Sequence, residues 1–374
     1  MVSVLQVLPT LNVCGGVENY LMNYYRHMDP ARVKFTFAIH ADADSVFSEV
    51  IRARGDEIVV LPSFTLGNFP RIRREIDHLF ASHQFDLVHC HQANAAWFYF
   101  SAAKKYGVTH RVLHSHQAAA ADKFTHKLRN YPLLALGKRS ATDFAACSRL
   151  AGDWLFGGRP YRVVNNAVDP AAFRFDPEAR RAVREEFGIP ENAFTVGHLG
   201  RFCPQKNQGF LLGAFVRILE REPSARLLLV GGGEQLAECR ERAQTLGILP
   251  SVIFPGVRTD TARMYAAMDV FVMPSLYEGL PVVGVEAQAA GLPLLLSDAV
   301  TRETKILDTT AFLPLSAGED AWAEKILSFR GVPRADTQAA IAAAGFDIGR
   351  ESGTLTEYYE TLAGKTPTRE ETTE

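Results

Sequence analysis

Cysteine is scarce in this 374-residue chain: Cys14, Cys90, Cys147, Cys203 and Cys239 are scattered, odd in number and never in a CxxC pair. That spacing excludes a zinc ribbon and a disulfide framework and suits a reducing compartment. Net charge is also small, −2 at pH 7. Nothing biases the chain as a whole toward nucleic acid, and no nucleic-acid partner is expected. No window approaches the roughly eighteen consecutive apolar residues of a membrane span. At the N-terminus, MVSVLQVLPTLNVCGG has a short apolar run and no basic segment before it, so it reads as a first buried strand rather than a signal peptide. Together these absences lead us to expect a cytoplasmic protein. The chain also lacks internal repeats, low-complexity tracts and a GxGxxG fingerprint.

The composition that remains, 47% hydrophobic and 22% charged, is that of a globular protein. The chain is too long for one ordinary core, so two domains of roughly 150 to 200 residues each are expected. Residues 1–170 hold 19 Lys and Arg against 14 Asp and Glu, leaving 21 against 28 for the remainder, so the first half is the more basic.

Short apolar runs alternate with helical patterns along both halves, the mark of parallel sheets covered by helices. The first series of expected strands lies at 2–8, 34–40, 57–62, 86–91, 111–116 and 143–148. The second lies at 194–200, 226–232, 251–256, 270–275 and 293–298. Between them, NNAVDPAAFRFDPEARRAVREEFGIPEN has three prolines and a charged helix but no buried strand, which places a domain junction near 170–190. The fold class expected is α/β, with two Rossmann-like doubly wound domains at 1–175 and 176–349. A terminal helix falls within 350–365, and the polar tail 365–374 is expected to be disordered. Ligands of such sheets bind beyond the carboxyl ends of the strands, so two facing domains would form one interdomain cleft.

Several residues fall at those strand ends. In HLGRFCPQKNQGF, Arg201 and Lys206 occupy the connection between a strand and a helix. Two cations there suit a diphosphate, which Arg grips in a planar fork and Lys meets as a point charge; two solvated loop charges would look the same. LLLVGGGEQL puts Gly231 after a strand, where a ligand could approach the backbone, though a plain strand-to-helix loop has the same composition. In LYEGLPVVGVEAQAAG, Glu278 lies in a loop with Gly279 and Leu280, Pro281 is suited to a first helical residue, and Gly291 to a helix stop. Glu286 then falls inside the helix. Carboxylates repel phosphates but accept hydrogen bonds from sugar and ribose hydroxyls, so a nucleotide-sugar satisfies the whole charge arrangement.

In the first half, GGVENYLMNYYRHM follows the first strand, and Gly15 and Gly16 either admit a ligand or form a simple turn. His89 and His91 end one strand, and His114 and His116 another; each pair at i, i+2 spacing shares one face of its strand. Four imidazoles raise the question of a metal, but no companion Asp or Cys falls at ligand spacing, and contacts to an acceptor or ordinary buried histidines are the other readings.

Three motifs, GGVE near the start, GRFCPQKN at 200–207 and PSLYEGLPVVGVEAQAAGLP at 274–293, stand in order and at family separations. With them the chain resembles the GT-B glycosyltransferases of family 4, the retaining group, and GVRTD at 256–260 and WLFG at 154–157 are similar to the capsular and exopolysaccharide branch. The resemblance implies that Arg201 and Lys206 bind a donor diphosphate, Glu278 the donor sugar and Glu286 the ribose. It further implies that His114 touches the transferred sugar, that Gly16 packs on the phosphates, and that Gly256 and Arg258 flank the base. The terminal helix would cross back onto the first domain. No metal and no cofactor beyond the nucleoside-diphosphate-sugar is implied. One departure is NNAVD at 165–169, where many members have Asn-Gly-Val-Asp. Two other functions fit the same scaffold, a nucleotide-sugar epimerase and a non-catalytic partner of another transferase. The acceptor would be a saccharide or a polyprenyl-linked sugar. DKFTHKLRNYPLLALGKRSA at 122–141, with five Lys and Arg among apolar residues, suits a peripheral contact with the inner face of an anionic membrane, or an amphipathic covering helix.

Overall fold

The computed structural model describes residues 1–13, 15–41, 44–117 and 124–365, with only the backbone given for 124–128. Residues 366–374 of the expected disordered tail lie outside the described residues, as do residues 122 and 123.

The chain divides into two units, Met1–Asn165 joined by the segment from Ile348 onward, and Asn166–Asp347. In the first unit the strands are β1 (Val2–Leu8), β2 (Val33–Ile39), β3 (Glu57–Val60), β4 (Leu87–Cys90), β5 (His110–Ser115), β6 (Asp143–Ala146) and β7 (Arg162–Val163). They form one parallel sheet in the order β3-β2-β1-β4-β5-β6-β7. β1 and β4 read as near-continuous apolar runs because helices cover both faces. Register is fixed along the whole of β1, from Val2 opposite Val33 to Leu8 opposite Ile39. β7 escapes a sequence reading because it has two residues, both exposed.

In the second unit the strands are β8 (Thr195–Leu199), β9 (Arg226–Val230), β10 (Val252–Gly256), β11 (Val270–Met273), β12 (Leu294–Ser297) and β13 (Thr310–Leu313). Their order is β10-β9-β8-β11-β12-β13, again all parallel. In each sheet the strand order reverses beside the first strand, between β1 and β4 and between β8 and β11. In open α/β sheets the loops leaving the strands at such a reversal diverge to opposite sides, and ligands bind outside the carboxyl ends there.

The boundary falls at 165/166 rather than at 175/176, for a physical reason. Residues 166–175 are tied to the second unit: Asn166 donates from Nδ2 to the Leu280 carbonyl, the Val168 N–H donates to the Phe346 carbonyl at 2.9 Å, and the ring of Phe173 meets that of Tyr265. The charged helix that follows, Pro177–Glu186, starts at the Asp176 cap with proline at its first position. Its Arg184 is 3% exposed and spends its guanidinium on the Asp269 carboxylate at 2.9 Å, on Thr195 Oγ1, and on the carbonyls of Ala267, Pro190, Glu191 and Ala193. A buried cation is tolerated because every donor is met.

The terminal helix, Ile348–Leu362, belongs to the first unit and lies beside the helix Gly16–His27. Arg32 grips Glu360 through two bonds of 3.0 and 2.7 Å, and Tyr359 of the next position inward is fully buried. Among the described residues no helix is long and apolar enough to cross a membrane.

Candidate active site

β8 ends at Leu199, and the following loop is folded onto its neighbours by backbone bonds: Gly200 N–H donates to Val230 O at 3.0 Å and Phe202 N–H to Gly232 O at 2.9 Å. Gly231 and Gly233 have φ of 136° and 148°, and a Cβ at either would collide with the carbonyl oxygen of Gly200 or Phe202. Glycine is required there by the close approach of two loops. A short turn, Pro204–Lys206, then meets Asn207, the one non-glycine residue with positive φ (54°) among those described. This left-handed residue turns the chain into the helix Gln208–Arg221 and is anchored by its Nδ2–H on Pro274 O at 3.2 Å.

That geometry delivers Lys206 to the loop after β11. Its Nζ lies 2.6 Å from Glu278 Oε1, while Gln205 Nε2 donates to Glu278 Oε2 at 3.2 Å and to Tyr277 O at 3.0 Å. A backbone bond, Leu276 N–H to Gln205 O at 2.8 Å, fixes the two loops together. The side chains of Lys206 and Glu278 are only 15% and 9% exposed. An ammonium has three donors, and Glu278 takes one. Arg201, 60% exposed, is ion-paired with Glu234 at 3.0 Å.

The helix after this loop runs Val282–Ala289, with Pro281 as its N-cap rather than its first helical residue, because Pro281 has an extended ψ of 119°. Leu280 is buried, and Gly279 precedes it. Glu286 is 7% exposed and accepts from Tyr265 Oη at 2.8 Å. Burial pushes its carboxyl up to about 7, partly opposed by the Tyr265 bond. Gly256, at φ 79°, accepts from the Gly231 N–H at 2.8 Å. Arg258 is held by Asp260 through two 2.8 Å bonds and by Glu186 at 3.0 Å. Of the residues singled out in the sequence, the fold joins Lys206 and Glu278 directly, whereas Arg201, Arg258 and Glu286 have other partners. Gln205, Tyr265 and the buried His198, whose Nδ1 donates to Val272 O at 2.8 Å, are not among the residues singled out in the sequence.

In the first unit, all four strand-end histidines come together. His89 Nε2 lies 2.9 Å from His114 Nδ1, and His91 Nδ1 lies 2.8 Å from His116 Nε2. His91 Nε2 is 2.8 Å from Gln6 Oε1, and His89 Nδ1 is 2.6 Å from Tyr359 Oη. Burial holds His89 and His116 at about 3, and His91 and His114 well below the ordinary imidazole range, so the cluster is neutral at physiological pH. One nitrogen from each of His89, His91 and His114 lies within 4.8 Å of the others, a spacing that could hold a metal ion. Both nitrogens of His89 and of His91 are already hydrogen-bonded, however, and an ion would have to displace those bonds. Gly15 caps the helix Gly16–His27, where a Cβ would strike the Glu18 carboxylate, and Gly16 has open space where its Cβ would stand. A buried glutamine in the apolar strand VSVLQVL was the one signal that could have drawn attention to Gln6.

The helix Phe124–Ser140, which covers most of the basic stretch, buries Leu133 and Leu134 and exposes Tyr131 and Leu136.

Comparison with known proteins gives the same picture. Residues 14–172 match the model for Glycosyltransferase Family 4, and residues 193–330 that for Glycosyl transferases group 1. The chain is 33% identical over 368 residues, 95% of itself and 96% of the relative, to a Bacillus subtilis (strain 168) protein named "Putative glycosyltransferase EpsF". It is 34% identical over 155 residues, 41% of itself and 27% of the relative, to the Vi polysaccharide biosynthesis protein VipC/TviE of Salmonella typhi. Among solved structures, Anabaena Alr3699/HepE in complex with UDP-glucose superposes with a TM-score of 0.81 at 22% identity, covering 96% of this chain and 100% of that one. The match to EpsF along almost the full length of both proteins, on two parallel-sheet units of this topology, makes the chain a member of glycosyltransferase family 4 with the GT-B fold, and a glycosyltransferase by activity.

Proposed function

We propose that this glycosyltransferase transfers a sugar, with retention at the anomeric carbon, from a nucleoside-diphosphate-sugar to a saccharide or polyprenyl-linked acceptor during assembly of an exopolysaccharide or capsule. The observation that carries the donor reading is the 2.6 Å Lys206–Glu278 pair beyond the carboxyl ends of β8 and β11, where the sheet order reverses. Among the described residues two Nζ–H donors of Lys206 remain for diphosphate oxygens, and Arg201 reaches the same phosphates by leaving its exposed pairing with Glu234, an exchange that costs little because surface pairs contribute about 0–1 kcal/mol. As the glycosidic bond breaks, negative charge grows on the leaving diphosphate and these fixed cations stabilise it. That phosphate then takes the proton of the acceptor hydroxyl, which enters on the same face.

Glu278 accepts from a hydroxyl of the donor sugar, and Glu286 from the ribose hydroxyls. His114 donates to a hydroxyl of the sugar substrate. Gly16, Gly231, Gly256 and Gly279 give the nucleotide access to backbone, with Leu280, Pro281 and Arg258 nearby in sequence. The nucleotide-sugar bound by the Anabaena protein and the polysaccharide role of the Salmonella typhi relative support the donor and pathway classes. For a lipid-linked acceptor, the 122–141 stretch would rest on anionic headgroups, and sedimentation with anionic vesicles checks this; no binding at low salt removes that element.

The test begins with thermal-shift screening of nucleotide-sugars, because a bound donor raises the melting temperature by mass action. With the donor so found, Lys206→Ala and Glu278→Ala should each lower transfer by roughly 10² to 10³ while the protein stays folded. Full activity in both variants refutes the assignment.

A further inference from the structure

The hydrogen bonds around His114 have a direction. Gln6 is fully buried, and its amide serves two branches. Its Nε2–H donates to Tyr359 Oη at 3.2 Å, and its Oε1 accepts from His91 Nε2 at 2.8 Å. With its oxygen accepting from Gln6, Tyr359 turns its own proton to His89 Nδ1, 2.6 Å away. A neutral imidazole carries one proton, so His89 must hold its own on Nε2 and donate it to His114 Nδ1 at 2.9 Å. His114 in turn must carry its proton on Nε2. That nitrogen is buried and, among the described residues, has no hydrogen-bond partner. The second branch agrees: His91 donates from Nε2 to Gln6, so its Nδ1 accepts from His116 Nε2 at 2.8 Å.

We propose that Gln6, Tyr359 and His89 are positioning residues that lock His114 in its Nε2–H tautomer, so that it offers a neutral N–H donor to a hydroxyl of the sugar substrate. The role of His114 toward sugar rests on the function proposed above; the lock itself does not. A buried N–H left without an acceptor is destabilising, and a ligand oxygen that accepts from it recovers that loss. Neutrality matters too, because a protonated imidazole would carry protons on both nitrogens and erase the selection. Burial favours the neutral form of all four rings. The lock also gives the terminal helix a part in the site. Glu360, beside Tyr359, ties that helix to Arg32, and the fully buried Tyr359 reaches β1 and β4.

The experiment uses the full chain labelled with 15N-histidine and free of donor, and reads each ring by its long-range 1H–15N pattern, which separates bare from protonated nitrogens. In the wild type His114 should show a bare Nδ1 and a protonated Nε2. Tyr359→Phe keeps the ring volume but removes the proton relay, so His114 should become a mixture of tautomers, with transfer falling about twofold as the competent fraction halves. Gln6→Glu should reverse the chain. Its carboxylate accepts from Tyr359, Tyr359 accepts from His89 Nδ1–H, and His114 ends with a bare Nε2, lowering transfer by roughly 10². In a His114→Gln background, whose amide donates whatever the tautomer, Tyr359→Phe should cost nothing more. A wild-type His114 protonated on Nδ1, or a tautomer unchanged in Tyr359→Phe, overturns the proposal. Because the spectra need neither donor nor turnover, they decide the lock even if the transfer reaction proves different.

Discussion

Glu286→Gln should make the second unit more stable at alkaline pH while weakening donor binding. The carboxyl of Glu286 is pushed from 4.5 to about 7 by burial, so the folded state holds its proton more tightly than the unfolded chain does. Between those two values the native state binds more protons than the unfolded state, and stability falls as pH rises. The stability is fully present below about 4.5 and lost by the time pH has passed about 7. At 1.36 kcal/mol per unit, ionising Glu286 in place costs about 3 kcal/mol at pH 8. Glutamine keeps the acceptor for Tyr265 Oη and has nothing to ionise. The variant should therefore match the wild type near pH 4.5 and exceed it by about 3 kcal/mol at pH 8, roughly 6 to 12 °C in melting temperature for a unit of this size. Urea melts at several pH values measure this directly. Given the ribose contact proposed for Glu286, donor binding should do the opposite, because hydroxyls donate best to an ionised carboxylate. Calorimetry in buffers of different ionisation enthalpy should show proton release on binding near pH 7 in the wild type and none in the variant. Parallel stability-versus-pH curves for the two proteins would refute the reasoning.

Other perturbations follow from the same geometry. Gly233→Ala places a Cβ against the Phe202 carbonyl at φ 148° and should destabilise the second unit by about 1–3 kcal/mol, read from the urea midpoint; an unchanged midpoint would show that the loop relaxes freely. Asp269→Asn removes the charge opposite the buried Arg184 and should cost about 3 kcal/mol, and equal stability would mean the carbonyls alone hold the guanidinium. Asn207→Val puts a β-branched residue at positive φ and loses the bond to Pro274 O, so it should lower transfer along with stability, whereas Asn207→Gly should retain more of both. A reversed ranking of those two variants argues against the left-handed turn as the device that delivers Lys206.

Much of the fold is legible because parallel strands covered on both faces are written as uninterrupted apolar runs. Eleven expected strands match β1 to β6 and β8 to β12. β7 was missed because it is two exposed residues long; β13, TAFL, lies outside the expected strands although it is as long and as apolar as β6. The boundary was placed late because residues 166–175 carry no strand; what assigns them is long-range, Asn166 to Leu280 and Val168 to Phe346. Lys206 and Glu278 were legible because each follows a strand at the point where the sheet order reverses. Tyr265 was not, since nothing in MYAAM distinguishes a tyrosine that meets a carboxylate from one that only fills the core.

The sequence by itself determined the strand positions, the glycines that permit close loops, and the residue types able to meet phosphates and hydroxyls, because local periodicity and side-chain chemistry are properties of neighbours along the chain. Only the tertiary structure decided which of those residues meet. Lys206 and Glu278 are 72 positions apart, and Tyr359 and His89 270 apart. Burial makes Glu286 a weak acid and the histidines neutral, and burial is set by what the rest of the chain lays over a residue rather than by the residue itself.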